Sequence, residues 1–367
     1  MKLNRLKIRN FRNFEKIDYE PSPGLNILVG DNAQGKTNLL EAIYVLATGS
    51  SFRKTADAHL LRFGEAGFAL EGQYEIGERE IQAFLEYSQN GNKNFLINNK
   101  KSNLGHKDRL RVVLFNPDDL FLVKGSPGKR RAFLDFLLKQ ISPEYNYNLD
   151  NYVILLKKRN LFLRKDQTTG KSFRIINDLF VEKACQLVLQ RINFINILDE
   201  ISREVYWQTN QQQNELKTRY ALSFAIDSDK INMNVLQQSL HQHIEKHLRE
   251  ETQRGRTLAG PHLEDINFYQ DGKLARIYAS QGQQRNIAIS LKLAELKAYK
   301  QIKDEYPIFL LDEVLSELDE TKRGMLINIL EEAGYQTFLT SVRLDRLEEA
   351  RGTIEVVEEG RFLRKGI

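Results

Sequence analysis

The chain has 367 residues, 54 Lys+Arg against 49 Asp+Glu for a formal net charge of +5, 41% hydrophobic and 28% charged residues, and a single cysteine, Cys185. That length suffices for two domains. One cysteine excludes a disulfide framework and a cysteine-based zinc site, no apolar run reaches the eighteen or so residues of a membrane helix, and the mild basicity is compatible with nucleic acid without demanding it.

Met1-Lys2-Leu3-Asn4-Arg5-Leu6 carries no apolar signal core, so a cytoplasmic location with no membrane partner is expected. Leu6-Lys7-Ile8-Arg9 reads as a strand entering a basic, aromatic turn, Asn10-Phe11-Arg12-Asn13-Phe14. Then comes a short apolar strand, Leu25-Asn26-Ile27-Leu28-Val29, the loop Gly30-Asp31-Asn32-Ala33-Gln34-Gly35-Lys36-Thr37, and an amphipathic helix over about 36–47. The loop fits the phosphate-binding pattern G-x-x-x-x-G-K-[ST]. Its glycines permit torsions and close approaches that a Cβ would block. Its N–H groups and the helix N-terminus face phosphates. Lys36 can reach the β- and γ-phosphates, and Thr37 can hold Mg²⁺. The bland alternative is a strand-turn-helix corner that happens to carry Lys-Thr.

Strands are expected at 68–74, 81–87, 94–97 and 112–115, with residues 88–93 as a turn and 49–54 as a loop. Near Gly125-Ser126-Pro127-Gly128 the pattern turns helical: a helix opening near Lys129, a second over about 143–164 and a third over about 172–211. A helix of about forty residues spans roughly 60 Å, too long for an ordinary core. A projecting helical arm is therefore predicted. A strand at 220–224 and a helix over about 232–251 lead back.

The chain then regains α/β character. Ile266-Asn267-Phe268-Tyr269 and Ala275-Arg276-Ile277-Tyr278 flank Gln270-Asp271-Gly272-Lys273, a hairpin signal. Ser280-Gln281-Gly282-Gln283-Gln284-Arg285 opens a periodic helix. Such an opening can bind phosphate, but Ser280 and Gln283 also make an ordinary capping box. Ile308-Phe309-Leu310-Leu311 is a buried strand ending in Asp312-Glu313, followed by Ser316-Glu317-Leu318-Asp319, a helix to about 333 and a strand at 337–341. Asp312 can serve Mg²⁺ and Glu313 can polarise the attacking water, although strands often end in acids. The order of these parts predicts an α/β nucleotide domain split in sequence: head at 1–124, helical arm at 125–252, head again at 253–367.

Walker A, a signature about thirty residues before the Walker B acid, and a D-loop Asp319 six residues after Glu313 together resemble the heads of the ABC/SMC class. Adding Arg9-Asn10-Phe11-Arg12-Asn13, Ser51-Phe52-Arg53, Phe115-Asn116-Pro117-Asp118-Asp119-Leu120, Arg130-Arg131-Ala132-Phe133-Leu134-Asp135 and Gly260-Pro261-His262, the chain is similar over nearly its whole length to the RecF family. That resemblance implies ATP and Mg²⁺ as cofactors, weak ATPase activity and ATP-dependent dimerisation. It also implies binding to double-stranded and gapped DNA, and work with RecR, RecO and RecA at single-strand gaps, at replication forks and in SOS induction. It assigns ATP to Arg12, Asn13, Gly30, Asp31, Asn32, Ala33, Gln34, Gly35, Lys36 and Thr37, Mg²⁺ to Thr37 and Asp312, and catalysis to Lys36, Asp312 and Glu313. It further assigns a signature acting in trans to Ser280, Gly282, Gln283 and Arg285, and a dimer interface to Asp319.

Three departures stand out. His262 is followed by Leu263-Glu264-Asp265 where the family usually has Arg-Asp-Asp; Thr340-Ser341 occupies the place of a switch histidine; and the Q-loop polar group is Asn116 or Asp118. Basic candidates for DNA are Arg53, Lys54, Arg130, Arg131, Lys157 and Lys158, with Arg130 and Arg131 alternatively paired to acids. The arm is too short for an SMC coiled coil. The signature is not the Leu-Ser-Gly-Gly-Gln of transport ATPases. The chain is also expected to lack the C-terminal nuclease of the overcoming-lysogenization-defect type, since it ends near Ile367.

Overall fold

A computed structural model describes residues 1–103, 106–210, 213–228, 230–342 and 351–364. The first strands are β1 (Lys2–Phe11), β2 (Phe14–Tyr19) and β3 (Leu25–Val29), followed by α1 (Lys36–Thr48), β4 (Gly67–Ile76), β5 (Arg79–Ser88), β6 (Lys93–Ile97), β7 (Lys100–Lys101) and β8 (Val112–Phe115). Next come α2 (Pro127–Ile141), α3 (Pro143–Arg164), α4 (Lys171–Thr209), β9 (Leu216–Ala221), α5 (Met233–Arg254), β10 (Asp265–Gln270), β11 (Lys273–Leu274), α6 (Ala275–Tyr278) and α7 (Gln281–Lys303). The chain closes with β12 (Ile308–Leu311), α8 (Glu320–Glu331), β13 (Thr337–Ser341), β14 (Thr353–Glu358) and β15 (Arg361–Arg364).

Two compact units result, Met1–Asp119 with Glu295–Ile367, and Leu120–Ala294. The first holds two six-stranded sheets. One is antiparallel, in the order β2-β1-β4-β5-β6-β7. The other runs β15-β14-β3-β13-β12-β8, and every pairing in it but β14–β15 is parallel. Strands β3, β8 and β12 are buried at every position. This is why they read as apolar runs, broken only by Asn26 in β3, whose amide donates to Ser22 O and Gly24 O. In β1 and β4 apolar residues alternate with polar ones, because one face of that sheet is partly wet. The parallel sheet places the C-terminal ends of β3 and β12 side by side, with β13 between them.

In the second unit α4 is a 39-residue helix buried at intervals from Phe173 to Tyr206. It packs against α3, α5 and β9. It is the spine of this unit. Ser126 and Ser142 cap α2 and α3, each followed by a proline at the first helical position.

Several expectations are corrected. The strand expected at 220–224 lies at Leu216–Ala221, where its residues pair with β10. That pairing draws residues beyond 252 into the helical unit, so the compact unit extends to Ala294 and not to the expected boundary at 252. Residues 275–278 form a helical turn and not a strand: after the Asp271–Gly272 turn only Lys273 and Leu274 pair with β10. Ile277 and Tyr278 are 63% and 68% exposed, so no burial enforces strand alternation there. The sequence reading did not anticipate β2, β7, β14 or β15.

Candidate nucleotide site

The P-loop is held by its neighbours. Gly30 lies so close to β14 that a Cβ would meet the Val357 carbonyl oxygen at 2.4 Å. Gly35 has φ +116°, and a Cβ there would press on Asn13 and Phe14. The turn after β14 braces the loop as well: Glu359 N donates to Gln34 Oε1 at 2.6 Å and Gly360 N to Gln34 O at 3.0 Å. This brace was not legible in the sequence. Helix α1 has Gly35 at its N-cap, with no capping side chain and no acid in its first turn. Its first N–H groups and the positive end of its dipole therefore face the pocket uncompensated. Lys36 Nζ donates to Gly30 O at 2.5 Å and Asp31 O at 2.8 Å. Burial lowers the Lys36 pKa, and the carboxylates of Glu313, Asp31 and Asp312 oppose that shift.

Strand β12 delivers the acids. Thr37 Oγ1 donates to Asp312 Oδ1 at 2.7 Å. Thr340 Oγ1, on β13, lies 3.0 Å from the same oxygen and accepts from Glu313 N at 2.9 Å. Glu313 adopts φ 54°, ψ 19°, the left-handed region. Burial raises the Asp312 pKa, and the two threonine hydroxyls pull it back. A cavity is lined by Ala33, Gly35, Lys36, Thr37, Asn38, Arg53 and Glu313. Arg53 thus belongs to this pocket, a role that its assignment to DNA did not foresee.

Arg12 does not offer its guanidinium freely. It makes two 2.8 Å bonds to the fully buried Glu41 and a third to His59 O. Ser51 also donates to Glu41, at 2.5 Å. Glu41 was passed over in the sequence, although an acid among the apolar residues of α1 was a usable signal. Asn13 bonds Asn38 at 2.7 Å and Gln34 O at 3.4 Å, which ties the first hairpin to the loop. Asp31 and Asn32 are exposed on the loop. Asn116 exchanges two bonds with Asp119 and so is committed to its own turn, whereas Asp118 is exposed.

In the other unit, Ser280 and Gln283 form a reciprocal capping box: Ser280 N donates to Gln283 Oε1 at 2.8 Å and Gln283 N to Ser280 Oγ at 3.3 Å. Ser280 is exposed, and Gly282 and Arg285 are half-buried. Asp319, in the first unit, caps α8 through Lys322 N and is exposed.

The DNA candidates separate. Arg130 is 2% exposed, makes a two-pronged pair with Asp265 at 2.7 and 2.8 Å, and donates to Gly125 O at 2.6 Å. It is a structural cation, as the acid-paired alternative had it, and its assignment to DNA is withdrawn. Arg131 donates to Glu264 O at 2.7 Å and is half-buried. Lys54, Lys157 and Lys158 are exposed.

A P-loop facing an acid-tipped strand of one parallel sheet, in a head whose sequence is split by a helical unit, defines an ABC/SMC-type ATPase head. The family model of the RecF/RecN/SMC N terminal domain matches residues 2–363. The chain is 36% identical over 378 residues to the DNA replication and repair protein RecF of Halalkalibacterium halodurans, with 100% of each chain covered. It is 37% identical over 358 residues to that of Staphylococcus carnosus, covering 95% of each. Its fold matches a solved structure of the recombination mediator protein RecF-ATPrS in the RecFOR pathway, with TM-score 0.90, 30% identity and coverage of 99% of this chain and 98% of that one. An SMC head bound to the C-winged helix domain of ScpA shares the fold at TM-score 0.58 and 15% identity, covering 100% of this chain and 98% of that one. The chain belongs to the RecF family.

Proposed function

We propose that this chain is an ATP-dependent DNA clamp of recombinational repair. It binds duplex DNA at gaps, dimerises with ATP, and with RecR and RecO helps direct RecA to the gap. It also contributes to replication-fork maintenance and SOS induction. The observation that carries the ATP half is the bond between Thr37 and Asp312 beside Lys36, Arg53 and Glu313. The repair half is supported by full-length similarity to proteins named for DNA replication and repair. No helix among the described residues is long and apolar enough to cross a membrane.

Mg²⁺ fits this site. Thr37 and Asp312 present hard oxygen donors 2.7 Å apart, the donor type that this ion takes together with phosphate oxygens. Bound there with ATP, the ion would neutralise phosphate charge. The protein's own groups do the rest. Lys36 and the α1 N-terminus hold the phosphates, Arg53 faces them from the pocket rim, and Glu313 orients the attacking water and takes its proton. In the dimer, Ser280, Gly282, Gln283 and Arg285 close the partner's ATP site, and Asp319 lies at the interface. Lys54, Arg131, Lys157 and Lys158 neutralise DNA phosphates without reading sequence.

Fluorescence anisotropy on gapped duplex DNA, with ATP or ADP at several salt concentrations, tests this reading. Tighter binding with ATP, weakened by Lys157→Glu with Lys158→Glu, is the expected result. Equal, salt-independent binding with both nucleotides would contradict it.

A further inference from the structure

We propose that Thr340 is a positioning residue that fixes the two Walker B acids in one act, a role resting on the ATPase reading above. Leu339 pairs in parallel register with Leu311, so Thr340 on β13 stands beside Asp312 at the end of β12. Its side chain is fully buried. A hydroxyl has one proton to give. Thr340 Oγ1 accepts the Glu313 N–H at 2.9 Å, and its own proton points to Asp312 Oδ1 at 3.0 Å. The Leu311 carbonyl, at 3.5 Å, is the poorer acceptor.

Two consequences follow. Asp312 Oδ1 receives hydroxyls from both Thr37 and Thr340, which fixes the plane of its carboxylate. Glu313 is a non-glycine residue at φ 54°, a conformation that costs energy unless its surroundings hold it. The bond from its N–H to Thr340 is one of two holds on that backbone, the other being the 2.7 Å bond from Ser316 Oγ to Glu313 O. One hydroxyl thus orients the carboxylate suited to Mg²⁺ and aims the backbone that carries the water-polarising glutamate.

The test compares Thr340→Val, which keeps the shape and removes the hydroxyl, with Thr340→Ser, which keeps the hydroxyl. Two quantities are read: phosphate release against ATP concentration, and the Mg²⁺ dependence of binding a methylanthraniloyl ATP analogue. Small misplacements of catalytic groups cost about 100-fold in rate. Thr340→Val is expected to lose roughly 10- to 100-fold in kcat with KM changed less than about threefold. It should also need several-fold more Mg²⁺ for half-maximal analogue binding, and Thr340→Ser should restore both quantities. Thr340→Val turning over at the wild-type rate would overturn the proposal. So would Thr340→Ser as slow as Thr340→Val, or loss of analogue binding in the absence of Mg²⁺, which would mark Thr340 as merely structural. Failure of the wild type itself to release phosphate would instead sink the ATPase reading.

Discussion

Thr37 Oγ1 donates to Asp312 Oδ1 at 2.7 Å across 275 residues of sequence. Two strands of one parallel sheet make that meeting possible, since β3 and β12 both flank β13. The helical unit that separates the two residues in sequence is carried as an insertion between β8 and β12, which are themselves paired in register.

Glu313→Gln separates binding from hydrolysis. The P-loop, Lys36 and Asp312 remain, so ATP affinity should stay within several-fold of wild type. The phosphate-release rate should fall about 100-fold or more, as expected when a water-orienting group is lost. Nucleotide titration beside single-turnover hydrolysis measures both. A variant that hydrolyses ATP at the wild-type rate removes Glu313 from the mechanism.

Arg130 should behave as a structural cation. Removing one partner of a fully buried pair costs about 3–5 kcal/mol, an upper bound here because Asp265 is 18% exposed. Arg130→Ala is therefore expected to lower stability in denaturant unfolding while leaving the salt dependence of DNA binding unchanged. Lys157→Glu with Lys158→Glu should do the reverse. A shallower salt slope in an Arg130→Ala protein that remains folded would return this residue to the DNA interface.

Glu264 gives a pH signature. Burial pushes its carboxyl up to about 7, and the bond from Tyr220 and the charge of Arg191 only partly offset that. Its folded pKa lies above its unfolded value, so between about pH 4.5 and 7 the folded state binds the extra proton. Stability from this group is present at the acid end of that window and is lost as pH rises through it, by an amount on the order of 3 kcal/mol. His262 acts in the opposite sense. Burial holds it near 4, so its contribution is lost as pH falls below 6.5. The difference in thermal stability between wild type and Glu264→Gln isolates the first effect. Wild type should lose ground to the variant from pH 5 to 7, and a pH-independent difference would refute the assignment.

What was legible in the sequence follows from the physics of each element. Strand β12 announced itself because burial on both faces leaves nothing polar in it, β3 did so with Asn26 as its one polar residue, and Gly30, Gly35, Lys36 and Thr37 are each required by one job. Arg130 was left between DNA and an acid partner because it sits between Lys129 and Arg131, while that partner, Asp265, is 135 residues away. The extent of the helical unit was misjudged for the same reason: the β9–β10 register, Asp265 against Ala221, is set by long-range pairing that no local pattern reveals. The Gln34 brace comes from backbone N–H groups of Glu359 and Gly360, which carry no side-chain signature. Thr340 was noticed only for not being a histidine; its value lies in two bonds to residues on a neighbouring strand.

The central claim is an ATP-driven dimer in which Ser280 of one protomer completes the other's nucleotide site. Sedimentation velocity on gapped duplex DNA, with ATP, ADP or no nucleotide, tests it most directly for wild type, Lys36→Met and Ser280→Arg. The account predicts that wild type dimerises on DNA only with ATP and that both variants remain monomeric. A wild type that stays monomeric with ATP, or a Ser280→Arg protein that dimerises normally, would contradict it.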